Sequence, residues 1–255
     1  DQETGLITTN SYDKNGNIQT LLRNGGIDTD GYQFENPIDN LTYLYDDVNK
    51  NLLLRVFDAT ANSVGFKDDT AGTNINDDID DIPDYAYDDN GNMTSDANKG
   101  ILNITYNHLN LPVEIIFPNG TITYLYNAVG QKTTKTVTQG TTTTSTDYLS
   151  GFQYKNTALQ FFPHAEGYVN ATEMMVFGGG SSYSFNYVFN YTDHLGNIRL
   201  SYSKDPVTNV LKIMEENHYY PFGLKHEGYN SYQAIANKYK YNGKEYQDEL
   251  GLNMY

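Results

Sequence analysis

The chain has 255 residues, 38% of them hydrophobic, with 24 tyrosines and no tryptophan, so it is long enough for a core but must build part of it from tyrosine rings, a composition that favours sheets. A formal net charge of -16 with only 16 Lys and Arg argues against binding nucleic acid or an anionic bilayer, both of which need clustered cations. The absence of cysteine excludes disulfides and thiolate metal sites, and no apolar run approaches the roughly 18 to 20 residues of a membrane span.

One phrase recurs along the chain. YDKNGNI at Tyr12 and YDDVNKN at Tyr45 are followed by YDDNGNM at Tyr87, YNHLNLP at Tyr106, YNAVGQK at Tyr126 and TDHLGNI at Thr192. Each places Asp or Asn three residues before Gly or Asn. A type I turn takes Asx at its first position, where the side chain caps the following amides, and in a hairpin its fourth position sits at positive φ. The expected turn residues are therefore Asp13 and Gly16, Asp46 and Asn49, Asp88 and Gly91, Asn107 and Asn110, Asn127 and Gly130, Asp193 and Gly196. Asn49 and Asn110 stand where glycine stands elsewhere, Asn being the best non-glycine residue at positive φ.

The pairs Tyr43/Tyr45, Tyr85/Tyr87 and Tyr124/Tyr126 are spaced by two, which puts both rings of a pair on one face of a strand entering the turn. NITYN, VEIIF, TITYLYN and KTTKTVT read as strands. Tyr87, Tyr106 and Tyr126 are spaced by 19 and 20 residues, about one hairpin per period, which marks a repeat whose units bury their faces on one another. Between Tyr45 and Tyr87 the spacing doubles around an aspartate-rich insertion, at about 60–84, which reads as a solvated surface loop. It lacks the ordered D-x-[DN]-x-[DN]-G spacing of a calcium loop, and any calcium ligands would be Asp77, Asp78, Asp80 and Asp81. TQGTTTTSTD, 138–147, reads as a hairpin tip or edge, and GGGSS, 178–182, as a flexible connector without the lysine of a phosphate loop.

No catalytic, cofactor-binding or metal site is expected. His108 and His194 follow the Asx of a turn, where a solvated structural role is the ordinary one. His218 and His226 flank YYPFG without an identifiable third metal ligand. Asp193 and His194 are adjacent, so they point to opposite faces and make no acid-base pair. The chain begins DQETGL and ends GKEYQDELGLNMY, which reads as a piece of a longer protein.

The YxYDxxGN phrases resemble the tyrosine-aspartate repeats of the Rhs/YD-repeat family. YTDHLGNIRLSYS from Tyr191, YYPFG at 219–223 and YKYNGKEYQDELGLNMY at the end resemble, in order, the repeat-associated core that follows them. The core positions are Tyr220, Pro221, Phe222, Gly223, Gly243 and Gly251. The resemblance divides the chain into degenerate repeats over 1–150, a poorly matched connector over 151–186 and a truncated core over 187–255. It implies an all-β ribbon of hairpins spiralling into part of a hollow shell, as in bacterial members that enclose a C-terminal toxin, the C component of insecticidal toxin complexes and the teneurins. The family's arginine-tyrosine-aspartate-proline segment and aspartate-based self-cleavage site have no counterpart before Tyr255, so neither self-cleavage nor a toxin is carried over. The resemblance thus implies a non-enzymatic, secreted or surface-exposed bacterial protein without cofactor. Its partners would be the remainder of a parent shell or an enclosed polypeptide. The alternative is a surface module that binds a glycan or a protein.

Overall fold

The computed structural model describes residues 7–25, 37–60, 62–69, 83–176, 179–205, 207–226 and 237–255. Its strands are β1 (Ile7–Tyr12), β2 (Ile18–Asn24), β3 (Pro37–Tyr45), β4 (Leu53–Asp58), β5 (Tyr85–Tyr87), β6 (Met93–Asp96), β7 (Asn103–Tyr106), β8 (Pro112–Phe117), β9 (Gly120–Tyr126) and β10 (Lys132–Gln139). They continue with β11 (Thr142–Leu149), β12 (Phe152–Lys155), β13 (Ala158–His164), β14 (Gly167–Met175), β15 (Ser181–Thr192), β16 (Ile198–Lys204), β17 (Leu211–Glu216), β18 (Tyr239–Tyr241) and β19 (Lys244–Glu245). The fold is all-β. Among the described residues the helical content is two single 3-10 turns, Pro221–Gly223 and Glu249–Gly251.

Strands β1 to β4 form one sheet in sequence order, β7 to β17 form an eleven-stranded sheet in sequence order, and β5–β6 and β18–β19 are separate hairpins. Consecutive strands lie side by side because short turns join them, which is the simplest connection for an antiparallel sheet. Alternation sets the faces: along β9, Ile122 and Tyr124 are buried while Leu125 is exposed.

Two compact units result, Asp1–Asn110 with Ile115–Pro118 and His218–Tyr229, and Leu111–Glu114 with Asn119–Asn217 and Asn230–Tyr255. The first centres on buried Leu21, Leu41, Val56 and Tyr85, against which Tyr43, Phe66 and Tyr87 pack. The second has a core of Phe161, Tyr168 and Val188 closed by Tyr239. Burial of each such side chain stabilises by about 1.5–3 kcal/mol.

The stretch 151–186, a connector on the sequence pattern, is β12 to β15. Its hairpins use two-residue turns, Ser150-Gly151 and Asn156-Thr157, with both central residues at positive φ (+49° and +90°, +48° and +72°), rather than the Asx-x-x-Gly frame. Ser181 and Ser182 are likewise not connector. They open β15 opposite Met175 and Met174, because the Val176 amide bonds the Gly180 carbonyl and closes a hairpin there.

Candidate functional site

The six Asx positions lie at the heads of turns. Asp88 Oδ1 accepts the Asn90 and Asn92 amides at 2.9 and 2.8 Å, its Oδ2 accepts the Asn92 side-chain amide, and the Gly91 amide reaches the Asp88 carbonyl at 3.0 Å. Asp13 with Asn15 and Asn17, and Asp193 with Leu195 and Asn197, repeat this geometry. Asn127 Oδ1 caps Val129 and Gln131, and Asn107 Oδ1 caps Leu109. The fourth residues Gly16, Gly91, Gly130, Gly196 and Asn110 have φ of +88°, +81°, +78°, +82° and +56°.

The Asp46 turn departs from the pattern. Its Oδ1 caps Val48 and Asn49, but Asn49 is not among the residues at positive φ. The Asp46 amide bonds the carbonyl of Leu52, six residues on, where the regular turns close at the fourth. Two extra residues remove the need for a left-handed fourth position.

Hydrogen bonds to the carboxylates hold several of these aspartates below their ordinary pKa, foremost from the Asn49 amide at Asp46 and from the Asn92 side chain at Asp88. Asparagines that follow the turns also tie neighbouring turns together. Asn92 Nδ2 donates to Asn110 Oδ1 at 2.9 Å, and Asn17 Nδ2 donates to Asn51 Oδ1 and the Lys50 carbonyl.

The tyrosine just before the Asx in four of the six phrases has a separate task, invisible in the sequence. The hydroxyls of Tyr45, Tyr87, Tyr106 and Tyr126 donate to the carbonyls of Ile18, Leu53, Met93 and Pro112 at 3.0, 2.7, 2.7 and 2.9 Å. Each acceptor is the first residue of the strand leaving the preceding turn. Burial raises the pKa of all four phenols, which keeps the donor proton in place. The first tyrosine of the pair is instead core, as with buried Tyr85 and Tyr124.

The core-motif positions shape two structures. Within the first unit, Tyr220, Pro221, Phe222 and Gly223 make a tight turn with Phe222 and Gly223 at φ +67° and +85°, and the Tyr220 ring stacks on His226 at 3.6 Å. A Cβ on Gly25 would lie 1.7 Å from the Tyr220 hydroxyl, so glycine there is what lets that ring in. Within the second unit, Asn242 and Gly243 turn β18 into β19, and Gly251, at φ +85°, follows Leu250 in the last 3-10 turn.

This terminal segment is fastened to β10 and β11 by a buried charge network that has no signature in the sequence. Lys135 is 1% exposed, and its Nζ donates to Glu245 Oε1 at 3.0 Å and Glu249 Oε1 at 2.8 Å. Lys132 donates to Glu245 Oε2 at 2.6 Å, and the Tyr148 hydroxyl reaches both Glu245 oxygens. Tyr124 OH donates to Gln247. Burial opposes ionisation of Glu245, but Lys135 and Lys132 outweigh it and hold the carboxyl below its ordinary value.

His108 and His194 are exposed in their turns, and His218 and His226 are joined through backbone, His226 N to His218 O at 2.8 Å. Among the described residues no three His, Asp or Glu side chains gather as a metal cluster. Asp77, Asp78, Asp80 and Asp81 lie outside the described residues. No described helix is long and apolar enough to cross a membrane.

No family model matches the sequence, and no curated protein does. Solved structures do. The crystal structure of TcdB2-TccC3 aligns with 95% of this chain at a TM-score of 0.57 and 14% identity, over 11% of its own length. That of TcdB2-TccC3-TEV aligns with 96% of this chain at a TM-score of 0.39 and 15% identity, over 16% of its length. The likeness to the first is one of fold, and this chain spans about a tenth of that protein.

Proposed function

We propose that the chain is a non-catalytic structural section of a bacterial Rhs/YD-repeat shell that encapsulates or presents another polypeptide, such as a C-terminal toxin. The observation that carries this reading is the alignment of nearly the whole chain with one segment of the TcdB2-TccC3 complex, an Rhs/YD-repeat shell. The repeat chemistry supports it. Each phenol latch directs its hydrogen bond to the neighbouring repeat, so the recurrent role of the YD phrase within this chain is to hold a wall together rather than to meet a substrate. The partners of such a section are the remainder of the shell and its contents, and the compartment is extracellular or the cell surface.

The test is a cryo-electron microscopy map of the full-length parent protein, with limited proteolysis alongside. A closed wall containing these residues, with an enclosed segment that resists protease until the wall is opened, is the expected result. A parent in which this chain forms a free-standing domain with both sheet faces in solvent would overturn the proposal.

A further inference from the structure

Within the second unit, the strands from β12 to β16 turn one face to the core, where Phe161, Tyr168 and Val188 are packed and Tyr239 closes over them. Residues alternate along a strand, so Phe162, Tyr187 and Phe189 stand on the opposite face. There the rings of successive strands meet in a continuous band. Phe152 stacks on Phe162 with ring centres 4.8 Å apart, and Phe162 meets Phe185 edge-on at 6.0 Å. His164 lies 5.2 Å from Phe189, which stacks in turn on Tyr202 at 5.7 Å. Rings of β13 and β15 touch across β14 because β14 sets Gly167, Val169 and Ala171 between them, residues too small to keep them apart. Val169 and Ala171 are buried beneath the band, yet Phe185, Tyr187 and Tyr191 are 54%, 59% and 67% exposed. Large rings left side by side in water mark an interaction surface.

The surroundings narrow what covers it. Every strand of the band has a neighbour on both sides, so a partner cannot join as an added strand and must engage through side chains. Gly167, Val169 and Ala171, the residues between the rings, carry no polar side-chain group to orient the hydroxyls of a sugar. Charge decides the rest. The chain carries a net charge of -16, and along β14 to β17 the charged residues of this face are Glu173 opposite Tyr183, Glu216 opposite Leu200, and Lys204. A second copy of the chain or an anionic surface is therefore repelled, while a cationic partner is drawn in. Among cationic side chains arginine suits aromatic faces best, since its guanidinium is planar, weakly hydrated and attracted by the ring quadrupole. The geometry points to a docking surface for a polypeptide of net positive charge, which lays arginine side chains on the exposed faces of Phe185, Tyr187 and Tyr191 and aliphatic side chains between them. This surface does not depend on the shell reading, and its failure would leave that reading untouched.

The experiment is calorimetric titration of the 255-residue chain with a blocked synthetic peptide of repeated Gly-Arg-Gly-Leu units, and with relatives in which serine replaces leucine, serine replaces arginine, or glutamate replaces arginine. The arginine-leucine peptide should bind, each serine peptide should bind more weakly, and the glutamate peptide should not bind. Phe185→Ser and Tyr187→Ser leave the charge of the chain unchanged, so they separate the rings from general attraction to an acidic protein. Each should weaken the arginine-leucine peptide about 5-fold, the loss expected for one cation–π contact. Leu125→Ser, at a 62% exposed position on β9, should leave binding as it was. Tyr187→Leu removes the ring but keeps apolar bulk, and it should weaken binding too, which keeps the test valid if a serine variant fails to fold. Absence of binding by the arginine-leucine peptide, affinity indifferent to every folded ring variant, or equal binding of the glutamate peptide overturns the proposal. So does a dimer in light scattering that Tyr187→Ser dissociates, because the occupant of the face would then be a second copy.

Discussion

The Tyr87 hydroxyl donates to the Leu53 carbonyl at 2.7 Å, joining the strand that enters one turn to the strand that left the turn before it. Tyr45, Tyr106 and Tyr126 make the same bond to Ile18, Met93 and Pro112. Removing one hydroxyl while keeping the ring leaves a part-buried carbonyl without its partner. Tyr87→Phe, Tyr106→Phe and Tyr126→Phe should therefore each cost about 1 kcal/mol. Tyr12 occupies the same frame but is 53% exposed, and Tyr12→Phe should change stability by less than about 0.5 kcal/mol. Urea unfolding of the four variants checks this, and equal effects would show that the hydroxyls are not latches.

Gly91 sits at φ +81° with open space where a Cβ would go, so any cost of substitution there comes from the backbone alone. Gly91→Val should cost about 1–3 kcal/mol, because a β-branched residue is strained at positive φ, and Gly91→Asn should cost clearly less. Asn90→Ala should be nearly silent, since Asn90 contributes its backbone amide to Asp88 and that amide survives the change. Denaturant midpoints of the three variants give the ranking.

The turns were legible because their requirements are local: a capping Asx and a residue that tolerates positive φ recur at fixed spacing wherever the chain reverses. The same reliance on one frame hid β12 to β15, whose Ser150-Gly151 and Asn156-Thr157 turns reverse the chain by a different two-residue geometry. Those doublets, flanked by alternating residues, were the signal available. The division of labour within a tyrosine pair was not readable, because both rings share a face and only the neighbouring strand decides which hydroxyl finds a carbonyl. Nor was the Lys135–Glu245 contact, made between residues 110 apart with no pattern to mark them.

That contact gives the second unit a pH dependence of definite sign. Glu245 has a folded pKa below its ordinary 4.5, so its contribution is present above pH 4.5 and is lost as pH falls through the lower folded value. Glu245→Gln should cost about 3 kcal/mol at neutral pH by leaving Lys135 and Lys132 short of their counter-charge, and should flatten this acid limb. Asp84 behaves oppositely. Burial raises its pKa above 3.8, so its contribution is present below pH 3.8 and is lost as pH rises through the folded value. Asp84→Asn should accordingly gain on the parent as pH rises above 3.8. Native-state hydrogen exchange read at β10–β11 and at β4 separates the two limbs, and parallel profiles would contradict both assignments.

Asp84 and Asp68 also bear on association. β4 is the last strand of its sheet, and its outward amides are those an incoming strand would use. Two are already taken: Val56 N donates to Asp84 Oδ2 and Asp58 N to Asp68 Oδ2, both at 2.8 Å. The Leu54 carbonyl, two residues before Val56, accepts the Asp84 amide at 2.9 Å. Carboxylates from outside the strand thus do the work of a neighbouring strand, and their charge repels another acidic chain. Asp68→Ala and Asp84→Ala together should bare the two amides and remove two charges from the edge. The double variant should form larger species than the parent in size-exclusion chromatography with light scattering, increasingly so with added salt as the remaining repulsion is screened. Asp47→Ala with Asp89→Ala, which removes the same charge from turn positions, is the control, since a rise in association there would trace the effect to net charge and not to the opened edge.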